Sequence, residues 1–221
     1  MFSPTDLQQE LLAISQRRTA ARAFATEVLN SLGQAKDAGL DPKQLDAEMI
    51  VHLQDIKQLC IDYRLRFLPA AYFKGEWPVE AVDKIQQLEA EHNTELSDLR
   101  IVAPAKRLRL ENADDPLLLA PLGNDYYYLI HKWGNDLHPF RKWLMWPYKN
   151  FENMVFTVFL ISIGLTLLSP IGLLHPEPGP REYLLTFLFL FKCVGFVVLY
   201  YGFAKGKNFN EAIWNSKYYN A

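Results

Sequence analysis

The chain has few cysteines, almost no net charge and no signal-peptide pattern at its N-terminus. Each of these absences argues against one class of protein. The 221 residues include only Cys60 and Cys193, too few for a disulfide framework or a four-cysteine metal site. The net charge is −2, with no arginine-rich stripe, so no nucleic-acid partner is expected. The first residues also lack the basic start and apolar core of a signal peptide, so membrane insertion would rely on C-terminal segments.

Catalytic and metal-binding motifs are missing as well. The sequence has no GxSxG, HExxH or CxxC pattern, no glycine-rich phosphate loop after a strand, and no kinase signature. The acidic residues near Asp114 lack the spacing of a calcium-binding loop. We therefore expect a protein that is not an enzyme, with no cofactor and no metal site.

Long apolar runs are what the chain does have. Residues 154–174 and 183–204 are each about as long as the roughly 20 helical residues that cross a hydrocarbon core of about 30 Å. The mean hydropathy is −0.08 although 50% of the residues are hydrophobic, as expected when an apolar C-terminal third follows a polar N-terminal part. The two runs predict a C-terminal two-helix transmembrane hairpin; a buried hairpin of a soluble protein is the alternative.

The distribution of lysine and arginine predicts an orientation. The loop between the runs carries only Arg181, whereas the flanking segments are basic, with Lys132, Arg141, Lys142, Lys149, Lys205, Lys207 and Lys217. Loops rich in Lys and Arg face the cytoplasm, so both termini are expected there. We expect an integral membrane protein, of a bacterial inner (plasma) membrane, with the lipid bilayer as its first partner.

Aromatic and basic residues form a collar at the membrane ends of the predicted hairpin. Such side chains favour the lipid headgroup layer. The predicted interface residues are Arg141, Lys142, Trp143, Trp146, Tyr148 and Lys149 in residues 139–153, and Trp214 in the amphipathic tail 205–221.

Lys192 is a charge in the middle of the second run, where burial in lipid is costly. At a similar depth the first run offers the hydroxyls of Ser162 and Thr166. Three interpretations remain open. The ammonium lines a water-filled pore in an oligomer, it pairs with an acid in another protein's span, or it extends toward the outer headgroups.

Residues 1–65 carry two heptad seams. Apolar residues recur at alternating spacings of four and three from Leu7 to Leu32, interrupted at Arg18, and again from Leu45 to Tyr63. Two such helices around Gly39–Pro42 predict an antiparallel helical hairpin. Its seams would pack within its own domain or form an oligomerising coiled coil.

Residues 66–138 alternate between strand and helix signals, which predicts a small cytoplasmic α+β domain. Residues 116–133 predict a β-hairpin whose two-residue turn is Gly123-Asn124, with Leu118 opposite Leu129. One face of this hairpin would carry Tyr126 and Tyr128. Because both faces are apolar, either the sheet is covered internally on both sides or the tyrosines form a candidate interaction surface.

The predicted fold is thus a mainly α membrane protein, with an N-terminal helical hairpin, a small α+β domain and a transmembrane hairpin at 154–204. The functional hypothesis is a membrane-anchored interaction, adaptor or sensing protein. The alternative is an oligomerising membrane effector or channel that its cytoplasmic domain controls. Its partners would be a second copy of the chain or another membrane protein.

The charge asymmetry generates a test of orientation. A reporter fused after Ala221 should behave as cytoplasmic, and one inserted at Gly179 as external, because the basic flanks stay on the cytoplasmic side. Enzymatic reporters that are active in only one compartment measure this. The reverse pattern would contradict the predicted orientation.

Overall fold

The computed structural model describes residues 6–20, 40–42, 44–73, 77–104, 116–134, 138–174, 177–204, 209 and 211–216. The chain divides into two compact units. The first contains Met1–Lys142 and Ala212–Lys217, and the second contains Trp143–Glu211 and Tyr218–Ala221. The first unit therefore receives residues from both sides of the apolar runs.

A five-stranded antiparallel sheet forms the centre of the first unit. Its strands are β1 (Ile50–His52), β2 (Leu65–Pro69), β3 (Arg100–Pro104), β4 (Leu117–Gly123) and β5 (Tyr126–Lys132). Their spatial order is β1-β5-β4-β3-β2. The edge position of β2 agrees with Pro69, whose missing N–H excludes it from a central strand.

Three helices cover the two faces of this sheet: α1 (Leu7–Ala20), α2 (Leu53–Tyr63) and α3 (Val79–His92). On one face, residues of α1 and α2 share a core with Leu117 and Leu119. On the other, α3 contributes Ala81 to a core with Leu118 and Ala120. The alternation along β4 explains why both faces of this strand are apolar: each has a helix to cover it.

The predicted N-terminal helical hairpin is wrong. A short 3-10 turn, Ala47–Met49, leads into β1, so the helix of the second seam begins only at Leu53 and covers its later part. The β-branched Ile50 and Val51 pair instead with Tyr128 and Tyr127 of β5, and this strand pairing prevails over the heptad spacing. The first unit is therefore an α+β fold and the chain is not mainly α.

The described part of the first seam gives the coiled coil no support. Leu7, Leu11 and Ile14 lie in the core that α1 and α2 form with the sheet. The seam beyond residue 20 falls outside the described residues.

The β-hairpin exists, but its turn lies one residue later than predicted. Asn124 and Asp125 occupy the turn with φ values of 49° and 64°, the left-handed conformation that tight hairpin turns require. Leu118 consequently lies opposite His131, not Leu129. The strand pairing also shifts by one residue between Leu118 and Leu119, which places Ala120 opposite Tyr128. This shift within the strands exchanges the faces, so Tyr126 and Tyr128 share a core with Leu118 and not with its neighbours Leu117 and Leu119.

The second unit contains two helices that are long and apolar enough to cross a membrane. After the short α4 (Arg141–Met145) come α5 (Phe151–Leu168), α6 (Ile171–Leu174) and α7 (Pro180–Ala204). Pro170 separates α5 from α6 because it cannot continue a helical hydrogen-bond ladder. Only 22% of the α5 span and 0% of the α7 span is buried.

The start of α1 generates a prediction of pH dependence. Asp6 Oδ1 accepts hydrogen bonds from the N–H of Gln8 at 2.9 Å and of Gln9 at 3.3 Å, and Lys132 Nζ lies 2.8 Å away. Burial alone raises the pKa of the Asp6 carboxyl, but these donors outweigh it, and the pKa lies below its usual value. The ionised form therefore stabilises the fold above the unfolded pKa of about 3.9, and this stabilisation is lost as the pH falls.

Asp6→Ala should lower the free energy of unfolding by about 1 kcal/mol at pH 7, a usual value for a lost helix cap. The difference from the parent should shrink as the pH falls below about 4. Thermal unfolding in detergent at both pH values measures this, with Asp83→Ala on the exposed side of α3 as the control. A difference that does not depend on pH would contradict the role of the carboxylate.

Candidate functional site

Both segments that flank the apolar helices attach to one corner of the first unit. The first flank is residues 141–142, and the second flank is residues 212–216. The α2–β2 corner, residues 57–67, contacts both of them. It is the candidate functional site because, within the first unit, one short segment holds the residues on both sides of the apolar helices.

The local sequence fixes the shape of this corner. Helix α2 ends at Tyr63, and Arg64 adopts the left-handed conformation with φ 52°. The Arg64 N–H donates to the carbonyls of Cys60 and Ile61, which closes the last helical turn. Strand β2 begins at the next residue, so α2 and β2 meet without an intervening loop.

The first flank is held by charge-assisted contacts. Arg141 Nε donates to the Tyr63 carbonyl oxygen at 2.9 Å. Lys142 Nζ lies 3.4 Å from Asp62 Oδ2 and 5.7 Å from the centre of the Tyr63 ring. Burial, and next the carboxylate of Glu10, raise the pKa of the Tyr63 phenol, so this ring remains neutral under the cation.

The second flank is held mainly by an aromatic contact. Trp214 stacks on Phe67 with ring centres 6.2 Å apart and planes at 9°. Lys57 Nζ lies 5.8 Å from the Trp214 ring centre, on the same corner. Arg66 Nη1 donates a hydrogen bond to the Ser216 carbonyl oxygen. Arg66 is buried, and burial lowers the pKa of its guanidinium because the charged form loses hydration.

The residues predicted at the membrane interface thus fall into two groups. Arg141, Lys142 and Trp214 make the contacts with the corner that are described above. In the second unit, Trp143 is 79% exposed, while Trp146 packs edge-on against Phe156 and Tyr148 stacks on Phe209. Tyr148 precedes α5 and Phe209 follows α7, so this stack joins the two ends of the apolar pair. Lys149 lies beside Tyr148 and is half-buried.

The predicted intramembrane polar residues do not come together. Ser162 and Thr166 are buried on the face of α5 that packs on α7, where their hydroxyls donate to the carbonyls of Val158 and Ser162, both at 2.7 Å. Lys192 is exposed. The two hydroxyls therefore do not shield its ammonium from the surroundings of the hairpin.

The tyrosines of the candidate interaction surface are half-buried. Tyr126 packs edge-on against His52 with ring centres 4.9 Å apart, and Tyr128 pairs with Ile50 of β1. Burial, followed by the carboxylates of Asp46 and Glu91, raises the pKa of the Tyr128 phenol. Their rings are partly covered by the core that α3 forms with the sheet.

Sequence reasoning missed the residues of the corner that hold the flanks: Asp62, Tyr63, Arg66 and Phe67. The one available signal was Arg66, a lone charge beside the apolar run Phe67–Phe73. Nothing in the sequence pattern identified a carbonyl 150 residues away as its partner. Among the described residues, no group of three His, Cys, Asp or Glu side chains is arranged to hold a metal ion.

The chain matches no protein-family model, no curated protein and no solved structure.

The attachment of the second flank can be tested with matched tryptophan substitutions. Trp214→Ala should lower the free energy of unfolding of the first unit by about 1–3 kcal/mol, because it removes a half-buried indole from Phe67. Trp143→Ala removes an indole that is 79% exposed and should change it by less than about 0.5 kcal/mol. Thermal unfolding in detergent compares the two, and equal effects would contradict the attachment.

Proposed function

We propose that this protein is a membrane-anchored interaction or sensing protein, whose first unit works at the cytoplasmic side of a bilayer that α5 and α7 span. The exposed apolar surface of these two helices carries the proposal. No residue in the 18-residue apolar window of α7 is buried, and large side chains such as Phe156, Phe189 and Phe196 are exposed along both helices. A soluble protein seldom leaves so large an apolar surface in water, and a bilayer covers it.

The flanking residues support insertion with both termini in the cytoplasm. Exposed Trp143 and Trp146 precede α5, in the sequence position where interfacial anchors occur. Basic residues are frequent in both flanks and reduced to Arg181 between the spans. This asymmetry favours a cytoplasmic location for the first unit.

The α2–β2 corner supports a role in interaction or sensing. The first unit has its own covered core, and residues of both flanks contact one segment of it. A partner that binds the first unit and shifts α2 against β2 changes the contacts of both flanks at once. An adaptor needs only such a binding surface, whereas an enzyme needs convergent catalytic groups.

A second candidate function is an oligomerising membrane effector or channel. It is favoured by one observation: Lys192 is an exposed cation in the middle of α7. A ring of chains that places this side chain toward a water-filled centre would hydrate the charge.

Membrane extraction and mass measurement test these functions. The parent chain should stay in the membrane fraction at alkaline pH, as spanning proteins do, and release into the soluble fraction would contradict anchoring. In detergent, a mass near 25.6 kDa after subtraction of bound detergent supports the anchored interaction protein. A discrete larger assembly supports the effector.

A further inference from the structure

Lys192 lies at the midpoint of α7, twelve residues after Pro180 and twelve before Ala204. At about 1.5 Å per residue, the helix extends roughly 18 Å on either side of it. That distance is longer than a lysine side chain, so the ammonium does not reach the headgroup layer from an upright helix. In a spanning hairpin the charge must be either hydrated or paired with an opposite charge within the hydrocarbon layer.

The hairpin itself does not compensate this charge. Among the described residues, none forms an ion pair or a hydrogen bond with Lys192. Ser162 and Thr166 are buried and donate to carbonyls of their own helix. The ammonium therefore faces outward from α7, toward whatever surrounds the pair of helices.

A second copy of the chain does not compensate it either. The only acidic residues of α5 and α7 are Glu152 and Glu182, near the first residues of each helix. Both lie about ten residues or more from the depth of Lys192, which is roughly 15 Å along a helix. Copies arranged symmetrically would bring lysines, and no carboxylate, to the same depth.

Lys192 lies within a row of exposed side chains along α7. Leu188, Lys192, Phe196 and Tyr200 recur at intervals of four residues, which places them along one side of a helix. Phe196 is 70% exposed, so the row has no cover within the pair of helices. It offers an apolar stripe with one cation at its centre.

We propose that this row of α7 binds a membrane-spanning helix of another protein that carries an aspartate or glutamate at mid-depth. The carboxylate would neutralise Lys192, and the apolar residues above and below it would pack against the same helix. This inference rests on the proposed spanning of the bilayer. It identifies the partner by its chemistry: an apolar helix with a single central acid.

Synthetic helices provide the probe. The full chain is reconstituted in phosphatidylcholine vesicles with a leucine-rich spanning peptide that has a central glutamate and a nearby cysteine. Matched peptides carry glutamine or leucine in place of the glutamate. The natural Cys193, exposed beside Lys192, reports proximity by disulfide formation under mild oxidation, while Cys60 is buried and does not compete.

The glutamate peptide should form the mixed disulfide at least several-fold more efficiently than the glutamine or leucine peptide. Lys192→Leu should abolish this preference. Lys192→Glu should transfer it to a peptide with a central lysine, which a merely structural effect of the substitution would not do. Equal yields for all peptides, or a preference retained in Lys192→Leu, would overturn the inference.

Alkaline extraction of the same vesicles separates this result from a failure of the proposed function. A chain that resists extraction and shows no peptide preference is anchored without an acidic partner helix. A chain that is extracted contradicts anchoring itself. If the main product is instead the Cys193–Cys193 disulfide between two copies, and its yield does not fall when any peptide is present, the exposed row of α7 binds a second copy. That result would overturn the inference.

Discussion

The uncovered apolar surface of α5 and α7 is the constraint on which the rest of the structure depends. The two helices bury little more than the stripe from Met154 to Thr166 where they touch, so most of their hydrocarbon faces outward. Exposing such an apolar surface to water is unfavourable, whereas contact with lipid hydrocarbon is not. The first unit has no corresponding need, because helices cover both faces of its sheet. The chain thus combines one part that folds around its own core with another that needs a surrounding apolar phase.

The α2–β2 corner of the first unit holds the segments on both sides of the apolar helices. Arg141 and Lys142 attach to it just before the apolar helices, and Trp214 attaches to it just after them. The first flank is held by charged donors, and the second by stacking on Phe67 together with the hydrogen bond from Arg66 to Ser216.

The sequence predicted much of this architecture where the signal is local. Apolar length identified both spanning candidates, and the turn residues near Gly123 identified a β-hairpin. Prediction failed where a long-range contact prevailed over a local period. Met49 and His52 fit a heptad seam, yet the strand Ile50–His52 pairs with β5 far along the chain. The register shift between Leu118 and Leu119, which no sequence signal marked, exchanged the faces of the β-hairpin. The contact of Arg66 with the second flank has no local signal at all, because its partner is a backbone carbonyl.

The central claim is that α5 and α7 lie in the hydrocarbon core of a bilayer. Reaction of single cysteines with a membrane-impermeant maleimide in intact vesicles tests it most directly, in a chain with Cys193→Ser. Cysteines at Phe156, Leu160 and Phe189, which are all exposed on the helices, should remain unreactive until detergent is added. A cysteine at Gly179, between the helices, should react from one side only. Rapid labelling at Phe156, Leu160 and Phe189 in intact vesicles would show that these helices face water, and would contradict the account.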